Sequence, residues 1–151
     1  VITLDRSHTE ELLALFGNQL LAFSLDQGFV ASNSGEYAAA RLANGEYIGG
    51  FVNKKLVVAA ALTKAPTEYW SDDRDATYLN GFVSIPHAGH GKQFWKWEAG
   101  ITPLLRLDCD VTNVPLVNYY LRHGFVAVGE CSYASGRGGL LMERSHRVIS
   151  R

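Results

Sequence analysis

Leu105-Arg106-Leu107-Asp108-Cys109-Asp110-Val111-Thr112-Asn113, followed within a few residues by Tyr119-Tyr120-Leu121-Arg122-His123-Gly124-Phe125, reads as a strand feeding a capped helix. Leu104 to Val111 alternates, with Leu105, Leu107, Cys109 and Val111 on one face and Arg106, Asp108 and Asp110 on the other. Asn113 is suited to cap a helix over Asn113 to His123, Pro115 suits its first turn, and Gly124 stops it. Leu116, Val117, Tyr120 and Leu121 fall on one face of that helix.

Upstream, the spacing predicts another strand over Ala76 to Ile85, a glycine turn, and a short helix around Gly89 to Ala99. Before it, Glu46 to Val52 and Leu56 to Thr63 are β-rich runs around the polar turn Asn53-Lys54-Lys55, a hairpin pattern. Ser7-His8-Thr9-Glu10 is a capping-box pattern ahead of an apolar stripe of Leu12, Leu13, Phe16, Leu20 and Phe23. Gly17 weakens the middle of that first helix and Gly28 suits its end. A second helix is expected over Gly35 to Leu42, closed by Asn44-Gly45. Downstream, Phe125 to Cys131 and Gly139 to Arg144 are two closing strands. This succession, without repeats or linkers, predicts one mixed α/β domain over residues 1–151.

Composition narrows the function classes. The chain has 151 residues, 47% hydrophobic and 19% charged, a globular balance. A formal net charge of −1 offers no footprint for nucleic acid or an anionic membrane. No stretch approaches the ~20 apolar residues of a membrane span, and Val1 to Asp5 does not read as a leader, so a cytoplasmic location is expected. Cys109 and Cys131 are expected as buried free thiols.

The strand–turn–helix Tyr78-Leu79-Asn80-Gly81-Phe82-Val83-Ser84-Ile85-Pro86-His87-Ala88-Gly89-His90-Gly91-Lys92 suits a phosphate. A helix start presents unpaired N–H groups, and glycines let the backbone come close. Asn113, Tyr120 seven residues later, and the closing Gly124-Phe125 then resemble the C-terminal signature of the GNAT superfamily of acetyl-CoA-dependent N-acyltransferases. Gly89-His90-Gly91 supplies the Gly-x-Gly of that family's phosphate motif, in the required order, and the resemblance covers most of the chain. Tyr69-Trp70-Ser71-Asp72-Asp73 and Leu140-Leu141-Met142-Glu143-Arg144 are similar to one bacterial branch. Two features depart from the pattern: Pro86 stands where the family usually has Arg or Gln, and the helix after Gly91 is short.

The resemblance implies an α/β (α+β) fold with a mixed, mostly antiparallel central sheet flanked by helices. It implies transfer of an acetyl group from acetyl-CoA to a primary amine by direct attack. The other reading is a catalytically silent acyl-CoA-binding or interaction domain on the same fold. Phe82 and Val83 would pair their backbone with the pantetheine arm, or serve as strand packing. Gly89, His90, Gly91, Lys92 and Gln93 would offer N–H groups to the pyrophosphate, and Asn113 would contact CoA besides capping its helix. Tyr120 would be the general acid for the departing thiolate, since a phenol with a pKa of about 10 stays protonated at neutral pH. Its other reading is a core tyrosine. Asp108 would be the general base, through water; its other reading is a surface carboxylate beside Arg106 or Asp110.

Tyr69, Trp70, Asp72, Asp73 and Asp75 make a loop suited to a cationic amine or simply to solvent. His87 and His90 lack a third ligand, so no metal is expected. Arg144, Arg147 and Arg151 read as a solvated basic ending. The acceptor would be an amine-bearing small molecule or peptide. Because members of the family often form dimers, the final strands are a candidate homodimer contact.

Overall fold

The tight turn at Asn53-Lys54 sets the hairpin at the heart of the first half of the chain. Both residues take positive φ (51° and 64°), the geometry of a two-residue turn whose twist matches its strands. Lys55 therefore belongs to the strand rather than to the expected three-residue turn.

In the computed structural model, which describes residues 1–17, 35–85 and 88–146, the elements follow the expected order with two short additions at the start, a strand and a 3-10 turn. They are β1 (Ile2–Thr3), a 3-10 turn (Arg6–His8), α1 (helical over 9–17), α2 (Gly35–Ala43), β2 (Tyr47–Val52) and β3 (Lys55–Thr63). Then come β4 (Thr77–Ser84), α3 (His90–Ala99), β5 (Leu104–Asp110), α4 (Val114–Arg122), β6 (Val126–Ser132) and β7 (Gly138–Ser145). The strands hydrogen-bond in the order β1-β2-β3-β4-β5-β7-β6. β4 and β5 run parallel, while β1–β2, β2–β3, β5–β7 and β6–β7 are antiparallel. This is the expected mixed, mostly antiparallel sheet with helices. The β4–β5 register is short, Thr77↔Leu105 and Tyr78↔Arg106.

The chain divides into two compact units, Val1–Leu62 with Asn80–Phe94, and Thr63–Leu79 with Trp95–Arg151. In the first, Leu4, Leu12, Phe16, Leu42, Tyr47 and Leu56 are among the residues that close a core. β3 is buried continuously from Leu56 to Ala61, the mark of a strand covered on both faces. A Cβ on Gly49 would meet Leu4 and Leu56 methyls at 2.6 and 2.7 Å, so any larger residue there would have to displace those core side chains. The capping box stands two residues earlier than expected, at Asp5 rather than Ser7. Asp5 accepts from the Ser7 N–H (2.9 Å) and pairs with His8, capping the 3-10 turn before α1. Leu15 takes the buried place expected of Leu13, which is exposed. Leu20, Phe23 and Gly28 lie outside the described residues. α2 ends as expected, with Gly45 at φ 69° donating to the Leu42 carbonyl (3.0 Å).

In the second unit Leu105 and Met142 are fully buried across the β5–β7 ladder. Four expectations change here. Arg106 is buried and Val111 is exposed, so polarity does not divide the faces of β5. Leu121 is exposed, leaving Tyr120 as the buried residue of α4. Arg144 is no solvated ending. It is 3% exposed and ion-paired to the fully buried Glu98 of α3, with its guanidinium over the Trp95 and Phe125 rings. Arg147 and Arg151 lie outside the described residues. Both cysteines are free; Cys109 is buried as expected, while Cys131 is only half-buried.

Candidate functional site

In the first unit, the chain leaves β4 and reaches the start of α3. Val83 is buried in the core and the Phe82 ring packs on Phe94 at 5.6 Å, so both side chains serve strand packing. Gly89 takes φ 76°, a conformation that favours glycine, with no heavy atom of the described residues within 4 Å of where a Cβ would stand. Its carbonyl accepts the Gln93 N–H (3.2 Å), so Gln93 spends its amide inside the helix. His90, Gly91 and Lys92 occupy the first turn, where backbone N–H groups have no preceding helical carbonyl. The His90 Nδ1 atom is buried without a hydrogen-bond partner among the described residues. Pro86 and His87 lie outside the described residues.

In the second unit, Asn113 caps α4 as expected: its side chain accepts the Leu116 N–H (3.3 Å), and Pro115 stands in the first turn. Gly124 ends the helix at φ 89°. The cap and stop place Tyr120 inward, edge-on to Trp95 (6.1 Å) and Phe125 (5.4 Å). Burial pushes its phenol well above the usual tyrosine range, so it remains protonated at neutral pH. Tyr119 is distinct: it accepts a hydrogen bond from the Trp95 indole (2.8 Å).

Asp108 does not pair with Arg106. It accepts a hydrogen bond from the Tyr133 hydroxyl at 2.7 Å. Burial raises its carboxyl above the ordinary value, and the Tyr133 hydrogen bond partly offsets that rise. Tyr133 also meets the Tyr69 ring edge-on at 5.5 Å. Sequence reasoning passed over Tyr133. The available signal was the glycine pair opening β7, since a glycine in a strand marks a close approach.

Arg106 instead takes Asp72 in a two-pronged pair (2.6 and 2.7 Å), Glu143 at 3.0 Å and the Tyr78 hydroxyl at 3.3 Å. Its guanidinium lies 4.3 Å from the Trp70 ring centroid. Asp72 and Trp70, two of the loop residues suited to a cation, thus already hold one from the same chain. Asp75 pairs with Lys64 at 3.2 Å. Among the described residues, no group of three His, Cys, Asp or Glu side chains is arranged to hold a metal ion. No described helix is long and apolar enough to cross a membrane.

No family model matches the chain, and no curated protein sequence matches it. Solved structures do. An acetyltransferase of the GNAT family from Streptococcus agalactiae 2603 superposes with a TM-score of 0.79 at 14% identity, over 96% of this chain and 94% of that one. The chain has the GNAT fold. A GNAT-family acetyltransferase from Listeria monocytogenes 4b F2365 matches with a TM-score of 0.67 at 18% identity, over 95% and 92% of the two chains. The ribosomal-protein-S18-alanine N-acetyltransferase from Escherichia coli matches at 0.63 and 14%, over 99% and 94%. Within the GNAT fold, the helix start at His90 and the Asn113–Phe125 segment stand in the order that the sequence resemblance implied.

Proposed function

We propose that the protein is an acetyl-CoA-dependent N-acetyltransferase acting on a primary amine by direct attack. The observation that carries this reading is the buried Tyr120 phenol, presented by a capped helix of the GNAT fold and held protonated by its surroundings.

The residues present fit a cosubstrate bearing a diphosphate. The first-turn amides of α3 point at no helical carbonyl, and among the described residues Gly89 meets nothing within 4 Å of its Cβ position and His90 Nδ1 has no partner. His90, Gly91 and Lys92 would bind the diphosphate, the β4 backbone at Phe82 and Val83 the pantetheine arm, and the Asn113 segment would contact CoA. When bound, acetyl-CoA supplies the acetyl thioester. Tyr120 Oη would supply a proton to the departing sulfur, and the second proton shed by the attacking nitrogen would restore the phenol. The Asp108 carboxylate removes a proton from the incoming ammonium, directly or through one water, since only the neutral amine attacks. A raised carboxyl pKa suits a base because the conjugate acid must hold the proton that it takes. The acceptor is an amine-bearing small molecule or a peptide amino terminus, and a cytoplasmic setting suits the cosubstrate. A homodimer through the final strands is compatible with the exposed edge strand β6.

The test is calorimetric titration with acetyl-CoA of the intact protein and of Gly91→Glu and Lys92→Glu variants, with melting curves to verify folding. Micromolar binding weakened in both folded variants, with thiol release in the presence of primary amines, supports the reading. Binding without thiol release points to the silent acyl-CoA-binding alternative, and absence of binding defeats both.

A further inference from the structure

A cleared space on β7 deepens this reading. Gly139 lies opposite Asp110 on β5 and opposite Cys131 on β6, so it sits in the middle of a three-strand ladder. A Cβ on Gly139 would stand 2.5 Å from Cys131 Sγ and 2.7 Å from both the ring carbon and the hydroxyl oxygen of Tyr133. Real side chains do not approach that closely, so the Tyr133 ring occupies the space that the missing side chain leaves. Across that space its hydroxyl reaches Asp108 on β5, 25 residues away in sequence. The Tyr69 ring meets Tyr133 edge-on, perpendicular at 90°.

We propose that Tyr133 is the positioning residue for the Asp108 carboxylate, and that Gly139 exists as glycine to let its hydroxyl through. The inference rests on the acetyltransferase reading for its catalytic consequence, but not for its geometry. A carboxylate that must take a proton from an amine needs one oxygen held and the other available. The Tyr133 hydroxyl binds Oδ1, which fixes the carboxyl plane and leaves Oδ2 for the amine or an intervening water. Without this donor, burial alone would favour the neutral acid, which cannot accept a proton.

The titratable groups facing Asp108 are Tyr133 from the β6–β7 turn, Tyr69 from the β3–β4 loop, Cys131 of β6, Tyr120 of α4, and Cys109 on its own strand. All five are neutral at physiological pH, and burial pushes the Cys109 thiol up to about 12. None is a cation, so the Tyr133 hydroxyl is the group in this set that favours the ionised carboxylate. That makes the effect of removing it predictable in sign.

The experiment follows the Asp108 carboxyl carbon by NMR titration of protein labelled at aspartate, for the intact chain, Tyr133→Phe and Gly139→Ala. The phenylalanine keeps the ring and the packing. It is expected to raise the pH at which Asp108 titrates by about one unit, the worth of one hydrogen bond to a charged group. Gly139→Ala, by displacing the ring, is expected to do the same. A parallel arm measures thiol release from acetyl-CoA with spermidine and with a short peptide bearing a free amino terminus. There the acid limb of kcat/KM should move to higher pH by the same amount in Tyr133→Phe, with KM for acetyl-CoA unchanged. An Asp108 titration that Tyr133→Phe leaves in place would overturn the proposal, and so would a displaced titration with an unmoved acid limb. Absence of thiol release from the intact protein with either probe would count against the acetyltransferase reading instead, and the NMR arm would still decide whether Tyr133 governs Asp108.

Discussion

Arg106 and Asp108 stand two residues apart on β5, and their surroundings have opposite characters. Arg106 is 2% exposed yet fully answered: two carboxylates, a phenol and an indole face surround it. Among the described residues Asp108 has one hydroxyl donor and no cation at hydrogen-bond distance. Asp72, pulled down by the Arg106 hydrogen bonds, and Asp108, pushed up by burial, therefore depart from the ordinary carboxyl in opposite directions. A buried charge with all its partners holds structure together, whereas a buried carboxyl left partly unanswered is poised to exchange a proton. One strand supplies both.

The comparison breaks hardest at Arg106. Arg106→Ala would leave Glu143 with only Arg74, at 3.7 Å, release Asp72 together with the 64–76 loop, and is expected to cost about 3 kcal/mol of stability, read by urea denaturation. A loss below about 1 kcal/mol would mean that the network is ornamental. Tyr120→Phe acts on chemistry instead. It should lower kcat by about 100-fold or more, the low end for a general acid, while the melting temperature stays near that of the intact protein; an unchanged kcat would remove Tyr120 from the mechanism. Asn113→Ala should cost about 1 kcal/mol as a lost helix cap. If Asn113 also meets the cosubstrate, acetyl-CoA binding weakens beyond what the stability change explains.

The smallest effects sharpen the contrast in sign. Asp72 has a lowered pKa in the folded protein, so its stabilisation is present above the unfolded-state pKa and is lost as pH falls through the folded value. Asp72→Asn should be less stable than the intact protein at neutral pH and converge with it in acid. Asp108 has a raised folded pKa, so its contribution is full below the unfolded-state pKa and declines as pH rises through the folded one. Asp108→Asn should be at least as stable as the intact protein at neutral pH while losing transfer activity. Denaturation midpoints across pH 3–8 would show it, and parallel slopes for the two variants would dissolve the comparison.

Local signals carried well. The Asn113 cap, the Gly124 stop, the Asn44-Gly45 ending and the hairpin around Asn53-Lys54 all depend on a few adjacent residues whose backbone preferences are written in their side chains. The first helix was capped elsewhere because Asp5 and His8 satisfy each other at the same spacing that the Ser7 pattern offers. Polarity misled at Arg106 and Arg144. A charged side chain is read as exposed unless its partners are known, and Asp72, Glu143 and Glu98 lie far away in sequence.

By itself, then, the sequence determined the succession of strands and helices, the caps and turns that bound them, and the order of the glycine turn and the Asn113–Phe125 segment. Each follows from preferences acting over a few residues. Only the tertiary structure decided that Arg106 is sealed among acceptors, that Gly139 makes room for a ring, and that Tyr133 reaches Asp108. Those depend on which strands become neighbours, and β7 inserts itself between β5 and β6, a placement that no local pattern encodes.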